Sequence, residues 1–163
     1  MSRFRARFRA SAACVALLLV AAPVHASPLD NPVQFVRDFE SRAAEYGQRT
    51  VVEPTSCSPS GCSYEIGREQ FYLTVRFDRS LYAVYPASTG GGAAVRVVAL
   101  VAAVLQDAKA TVDVVNRLAS ALPSSPDGAT LEAHGYVFSW SYGNGVASLH
   151  IEQHRPAPRK NSP

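Results

Sequence analysis

Residues 93–122 run AAVRVVALVAAVLQDAKATVDVVNRLASAL, and whether this stretch is helix or strand decides the architecture. Val97, Val101, Val104, Ala108, Thr111, Val115, Leu118 and Leu122 recur at alternating intervals of four and three, with Leu100 and Leu105 broadening the stripe. That period gathers apolar side chains on one face of a helix, whereas a half-buried strand alternates at every second residue. The spacing predicts one long helix, which at thirty residues would measure roughly 45 Å. A rival reading makes 94–101 a buried strand on the strength of its β-branched residues and starts a shorter helix near Asp107. Arg96 interrupts the apolar run and argues against a membrane span. The glycines before the stretch, Gly90 to Gly92, lack the lysine and Ser/Thr of a phosphate-binding loop and read as a flexible connection.

What such a helix covers is set by the segments around it. Tyr136, Phe138, Trp140 and Tyr142 alternate with Val137, Ser139 and Ser141, then Gly143-Asn144-Gly145 supplies residues that accept positive φ before Val146 to Gln153 returns. Either turn register puts the four aromatic residues on the same face as Ala147, Leu149 and Ile151. The opposite face carries Ser139, Ser141, Ser148, His150 and Glu152. Between Arg49 and Pro86 the period is also two. Short strands are predicted at 50–53 and 63–66, a longer one at 71–77 with Phe71, Leu73, Val75 and Phe77 inward, and another at 81–85, ended or marked as an edge by Pro86. Gly67-Arg68 and Asp78-Arg79-Ser80 read as the turns between them. Asn31-Pro32 opens an amphipathic helix over 32–46, stopped by Gly47. The expected fold is α+β: an antiparallel sheet packed on one long helix, with an additional N-terminal helix.

The N-terminus sets the compartment. Arg3, Arg5, Arg7 and Arg9 precede an apolar run from Ala10 to Ala22, and Val24-His25-Ala26 closes it with small residues. This order is that of a secretory signal peptide over 1–26, cleaved after Ala26, and the run falls short of the roughly 18 to 20 residues a span needs. A single domain is expected over 27–154, followed by a basic, proline-containing tail at 155–163 that reads as disordered. The chain has 16 Lys+Arg against 13 Asp+Glu. Four of the arginines leave with the leader and Arg155, Arg159 and Lys160 belong to the tail, so the domain itself is acidic. The basic balance of the full chain is therefore no argument for a nucleic-acid partner, and a bacterial periplasm is the expected location.

Cys57 and Cys62 are the two cysteines outside the leader. Four intervening residues including Pro59 and Gly61 do not make a thioredoxin-type motif, and two thiols do not complete a zinc site. An even pair this close in an oxidising compartment predicts a disulfide, with Ser58, Pro59, Ser60 and Gly61 as an exposed knuckle.

No catalytic constellation is legible. His150, Glu152 and His154 share a strand face, but the two histidines would lie about 13 Å apart, too far to chelate one metal. There is no G-x-S-x-G, and Ser139 and Ser141 lie in mid-strand. No metal and no cofactor are expected. Tyr72, Thr74 and Arg76, with Tyr82 or Tyr85 on the next strand, combine Tyr and Arg as interface anchors do. The expectation is a non-enzymatic domain, an inhibitor, accessory factor or assembly chaperone, that engages an envelope or extracellular protein or peptide through this face or through the knuckle. The alternative is a carrier of an apolar ligand held between the long helix and the sheet, where Ala99, Ala102, Ala103, Ala108 and Ala110 would leave room. An enzyme relying on His134, His150 and His154 is the third.

Overall fold

The alternating runs form antiparallel strands in a computed structural model that describes residues 27–67, 70–87, 90–121 and 128–154. The leader over 1–26, the tail over 155–163, Arg68 and Leu122 lie outside the described residues. A 3-10 turn at Pro28–Asp30 leads into α1 (Pro32–Glu45), where Asn31 caps the helix by accepting a hydrogen bond from Gln34 N–H at 3.1 Å. Strands β1 (Val52–Ser58), β2 (Gly61–Ile66), β3 (Phe71–Arg76) and β4 (Ser80–Pro86) follow as a meander. Helices α2 (Gly90–Leu105) and α3 (Ala108–Ala121) then carry the chain to β5 (Ala129–Ala133), β6 (Tyr136–Gly143) and β7 (Val146–Gln153). The two meanders join through β4 and β7 into one seven-stranded sheet of order β1-β2-β3-β4-β7-β6-β5.

The pleat sorts the side chains of this sheet. Phe71, Leu73, Val75, Leu81, Ala83, Phe138, Leu149 and Ile151 are all fully buried on one face, in a single core with Phe35 and Phe39 of α1, Leu100 and Val104 of α2, and Val114 and Leu118 of α3. The three helices thus cover one side of the sheet. Arg96, on the buried side of α2, places its guanidinium 5.9 Å from the Phe71 ring centre, a cation–π contact that suits a charge held against an aromatic sheet. No helix of the described residues is long and apolar enough to cross a membrane.

The stripe over 93–122 is helical, but it is two helices rather than one. Gln106 adopts a left-handed φ of 52° and redirects the chain. Asp107 restarts it, with its carboxylate accepting from Ala110 N–H at 2.7 Å and its carbonyl accepting from the Thr111 hydroxyl at 2.7 Å. The physical reason is length. A straight helix of roughly 45 Å overruns strands that span at most about 27 Å for eight residues, so its last turns would extend past the sheet. Of the rival reading, the start near Asp107 is right and the strand at 94–101 is not. The glycines Gly90 to Gly92 begin α2 rather than forming a loop.

Candidate functional site

No helix of the described residues lies over the other face of the sheet, and the strand register orders its side chains into cross-strand rows. The middle row runs through all seven strands: Ser56, Ser63, Thr74, Tyr82, His150, Ser139 and Thr130 are successive register partners. Six inter-strand steps give it a length of roughly 29 Å. Along it the Ser63 and Thr74 hydroxyls lie 3.1 Å apart, and Thr130 and Ser139 lie 3.4 Å apart. Tyr82 and His150 meet edge to face with ring centres 6.3 Å apart. A parallel row holds Glu65, Tyr72, Val84, Ser148 and Ser141. On the other flank are Arg76, then Ser80, Glu152, Val137 and Glu132.

Thr74, Arg76, Asp78, Ser80, Tyr82, His150 and Glu152 enclose an open depression of about 530 Å³ at the Arg76 end. Asp78 organises its rim. One carboxylate oxygen accepts from the Ser80 hydroxyl at 2.6 Å and the Ser80 N–H at 3.2 Å, and the other accepts from Arg76 Nε at 3.0 Å. The Ser80 hydroxyl, with smaller help from Arg76, holds the Asp78 carboxyl below its ordinary range. The face is therefore amphipathic: two exposed tyrosines, Tyr72 and Tyr82 at 46% and 44%, among hydroxyls, one arginine and several carboxylates.

The sequence-predicted residues are distributed as follows. Tyr72, Thr74, Arg76 and Tyr82 share the open face. Tyr85 does not, because Leu81, Ala83 and Tyr85 share a parity and point to the helices. Its ring stacks on Phe71 at 5.3 Å. Burial raises the Tyr85 hydroxyl above its usual range, and a hydrogen bond with Trp140 acts the other way. Cys57 and Cys62 form the disulfide from directly opposed positions within β1 and β2, not from a loop. Ser58, Pro59 and Ser60 are exposed. Gly61 is buried, because the neighbouring β3 backbone passes close: a Cβ there would lie 2.7 Å from Arg76 Cα. This contact brings the knuckle to the Arg76 end of the face, as does the bond from Phe77 N–H to Ser60 C=O at 3.1 Å.

Sequence reasoning missed that His150 and Glu152 belong to the same face as Tyr82. Each polar stripe was legible, but the pairing of β4 with β7 that merges them was not. The aromatic stripe of β6 also behaves differently from a core strand: Tyr136 and Phe138 are buried, Trp140 is half-buried, and Tyr142 is 47% exposed and stacks on Trp140 at 6.4 Å.

On the helix side, an apolar hollow of about 260 Å³ lies among Tyr85, Ala93, Val97, Val98, Val115 and Leu118. His134, in the β5–β6 turn, places Nε2 3.5 Å from Asp113 of α3. Among the described residues no group of three or more His, Cys, Asp and Glu is gathered as for a metal ion.

The fold defines an α+β protein with a seven-stranded antiparallel sheet whose second face carries none of the described helices. Comparison with protein-family models, with curated proteins and with solved structures finds no match to this chain.

Proposed function

We propose that this is an exported, non-enzymatic binding domain whose open sheet face, centred on Tyr72, Thr74, Arg76 and Tyr82 and extended by His150 and Glu152, engages a protein or peptide of the envelope or extracellular space. The observation that supports it is the pair of exposed tyrosines beside Arg76 on a sheet face that no helix of the described residues covers. Tyr and Arg are enriched among the residues that dominate binding energy at interfaces. The knuckle at Ser58 to Ser60 adjoins this face and is a second contact point. Export is supported by the leader composition and by the disulfide, which persists in oxidising compartments. Affinity capture from an envelope extract tests the reading: a partner retained by the native protein and lost with Tyr72→Ala and Arg76→Ala supports it, and a partner unaffected by both substitutions rules the face out.

A second reading, a carrier of an apolar ligand, is favoured by the hollow beside Tyr85, which is lined mainly by alanine, valine and leucine. It is small for a drug-sized ligand, since such sites commonly measure roughly 300 to 1,000 Å³. Native mass spectrometry after purification from envelope lipids would show a bound adduct under this reading, and bare protein would count against it.

A further inference from the structure

We propose that hydrolysis of the Ala26–Ser27 bond gives Asp30 a second cationic partner, so that maturation itself locks the start of the domain onto the sheet. The inference rests on the leader reading given above and goes beyond it, to what the fold does with the new N-terminus.

Ser27 is only 6% exposed. Its backbone N–H donates to Asp30 Oδ2 at 2.9 Å, and its hydroxyl accepts from Leu29 N–H at 3.3 Å, a reciprocal capping arrangement. Leu29 is fully buried in the core. The other Asp30 oxygen accepts from Arg79 Nε at 2.6 Å. Arg79 occupies the β3–β4 turn at φ 68°, and its carbonyl accepts from Gln153 N–H of β7 at 3.2 Å. One carboxylate therefore ties the beginning of the domain to a turn that is itself held by the last strand. Each of its oxygens has a separate partner, so a charge at Ser27 does not displace Arg79.

In the precursor the donor to Oδ2 is a neutral amide. A leader peptidase adds water across that amide: the Ala26 carbonyl carbon gains the oxygen and departs as a carboxylate, and Ser27 nitrogen gains the protons. Near neutral pH the new amine is an ammonium, because an ordinary α-amino group titrates at about 8. The same contact then becomes charge-assisted, roughly twice as strong as a neutral one. The other charged or titratable groups around Ser27 are Asp107 before α3, Lys109 and Asp113 of α3, His134 of the β5–β6 turn and Tyr136 of β6, which border the cavity of about 750 Å³ beside it. The two aspartates add to the favourable field and Lys109 opposes it.

The test uses the exported protein. Mass spectrometry should find Ser27 as its first residue. Lys109 and Lys160 are the only lysines of the chain, so in a Lys109→Arg/Lys160→Arg background acetic anhydride, followed by hydroxylamine to remove esters, blocks the Ser27 amine alone. Acetylation is expected to lower the folding equilibrium constant about five- to tenfold with Asp30 present and less than twofold in the Asp30→Asn variant, the scale of a partly buried charged hydrogen bond. At pH 10, where the free amine is uncharged, the effect of acetylation should vanish, which tests the charge even if Asp30→Asn does not fold. A first residue other than Ser27 overturns the cleavage reading and the proposal with it. Ser27 at the terminus with equal acetylation effects in both backgrounds, or at both pH values, overturns the ion pair alone.

Discussion

At Gly61 there is no space for a side chain: φ is 154° and the β3 backbone lies against the position where a Cβ would stand. Gly61→Ala is expected to destabilise the protein by about 2 kcal/mol or more, since the obstacle is backbone rather than a movable side chain, and urea denaturation checks this. Asp78 gives a pH signature. Its folded pKa is depressed, first by the Ser80 hydroxyl, so its contribution is present above the ordinary carboxylate range near 4 and is lost as pH falls through the lower folded value. Asp78→Asn should therefore lower stability at neutral pH and reduce its acid dependence below about pH 4, measured as urea midpoints from pH 2 to 7. Tyr85 shows where residue-level reading stops. In Leu81-Tyr82-Ala83-Val84-Tyr85 both phases of the alternation contain apolar residues, and only the pairing of Val75 with Leu81 fixes which phase is inward.

The junction between α2 and α3 was half legible at the level of elements. Asp107 is a good helix-capping residue, but the four-and-three spacing continues across it and hides the break. Opposite effects are expected from adjacent substitutions there: Asp107→Ala should cost about 1 kcal/mol through the lost cap, whereas Gln106→Gly, at a left-handed φ, should be neutral or stabilising by up to about 1 kcal/mol. Thermal unfolding of the two variants separates them. Strand β5 was missed because Ala-Thr-Leu-Glu-Ala has little apolar contrast, and its pairing with β6 is what makes it a strand. At the opposite edge, β1 is exposed along most of its length and is held by its ladder to β2 and by the disulfide. Reduction should remove about 2 kcal/mol, the chain-entropy value for so small a loop. Hydrogen exchange should then accelerate in β1 while β3, β4 and β7 stay protected, a local opening of the edge.

Across the whole molecule, the α+β class, the position of the helices and the disulfide were readable from periodicity and cysteine spacing. The site was readable only in pieces. Tyr72, Thr74 and Arg76, with Tyr82 or Tyr85 beside them, were found as one stripe, and His150 and Glu152 as another, because alternation identifies the faces of each strand but not which strands become neighbours. The β4–β7 pairing, made between segments separated by two helices, turns the pieces into one surface. On the function proposed above, this surface rather than the helix layer binds the partner. The most direct test is affinity capture from envelope extract with the native protein, a Tyr72→Ala/Tyr82→Ala variant, and a Val112→Ser variant altered on the exposed side of α3, all matched for thermal stability. The partner is expected to be captured by the native and Val112→Ser proteins and lost, by at least tenfold, when the two tyrosines are replaced, a change of about 1.4 kcal/mol or more. Equal capture by the tyrosine variant, or loss confined to Val112→Ser, would contradict it.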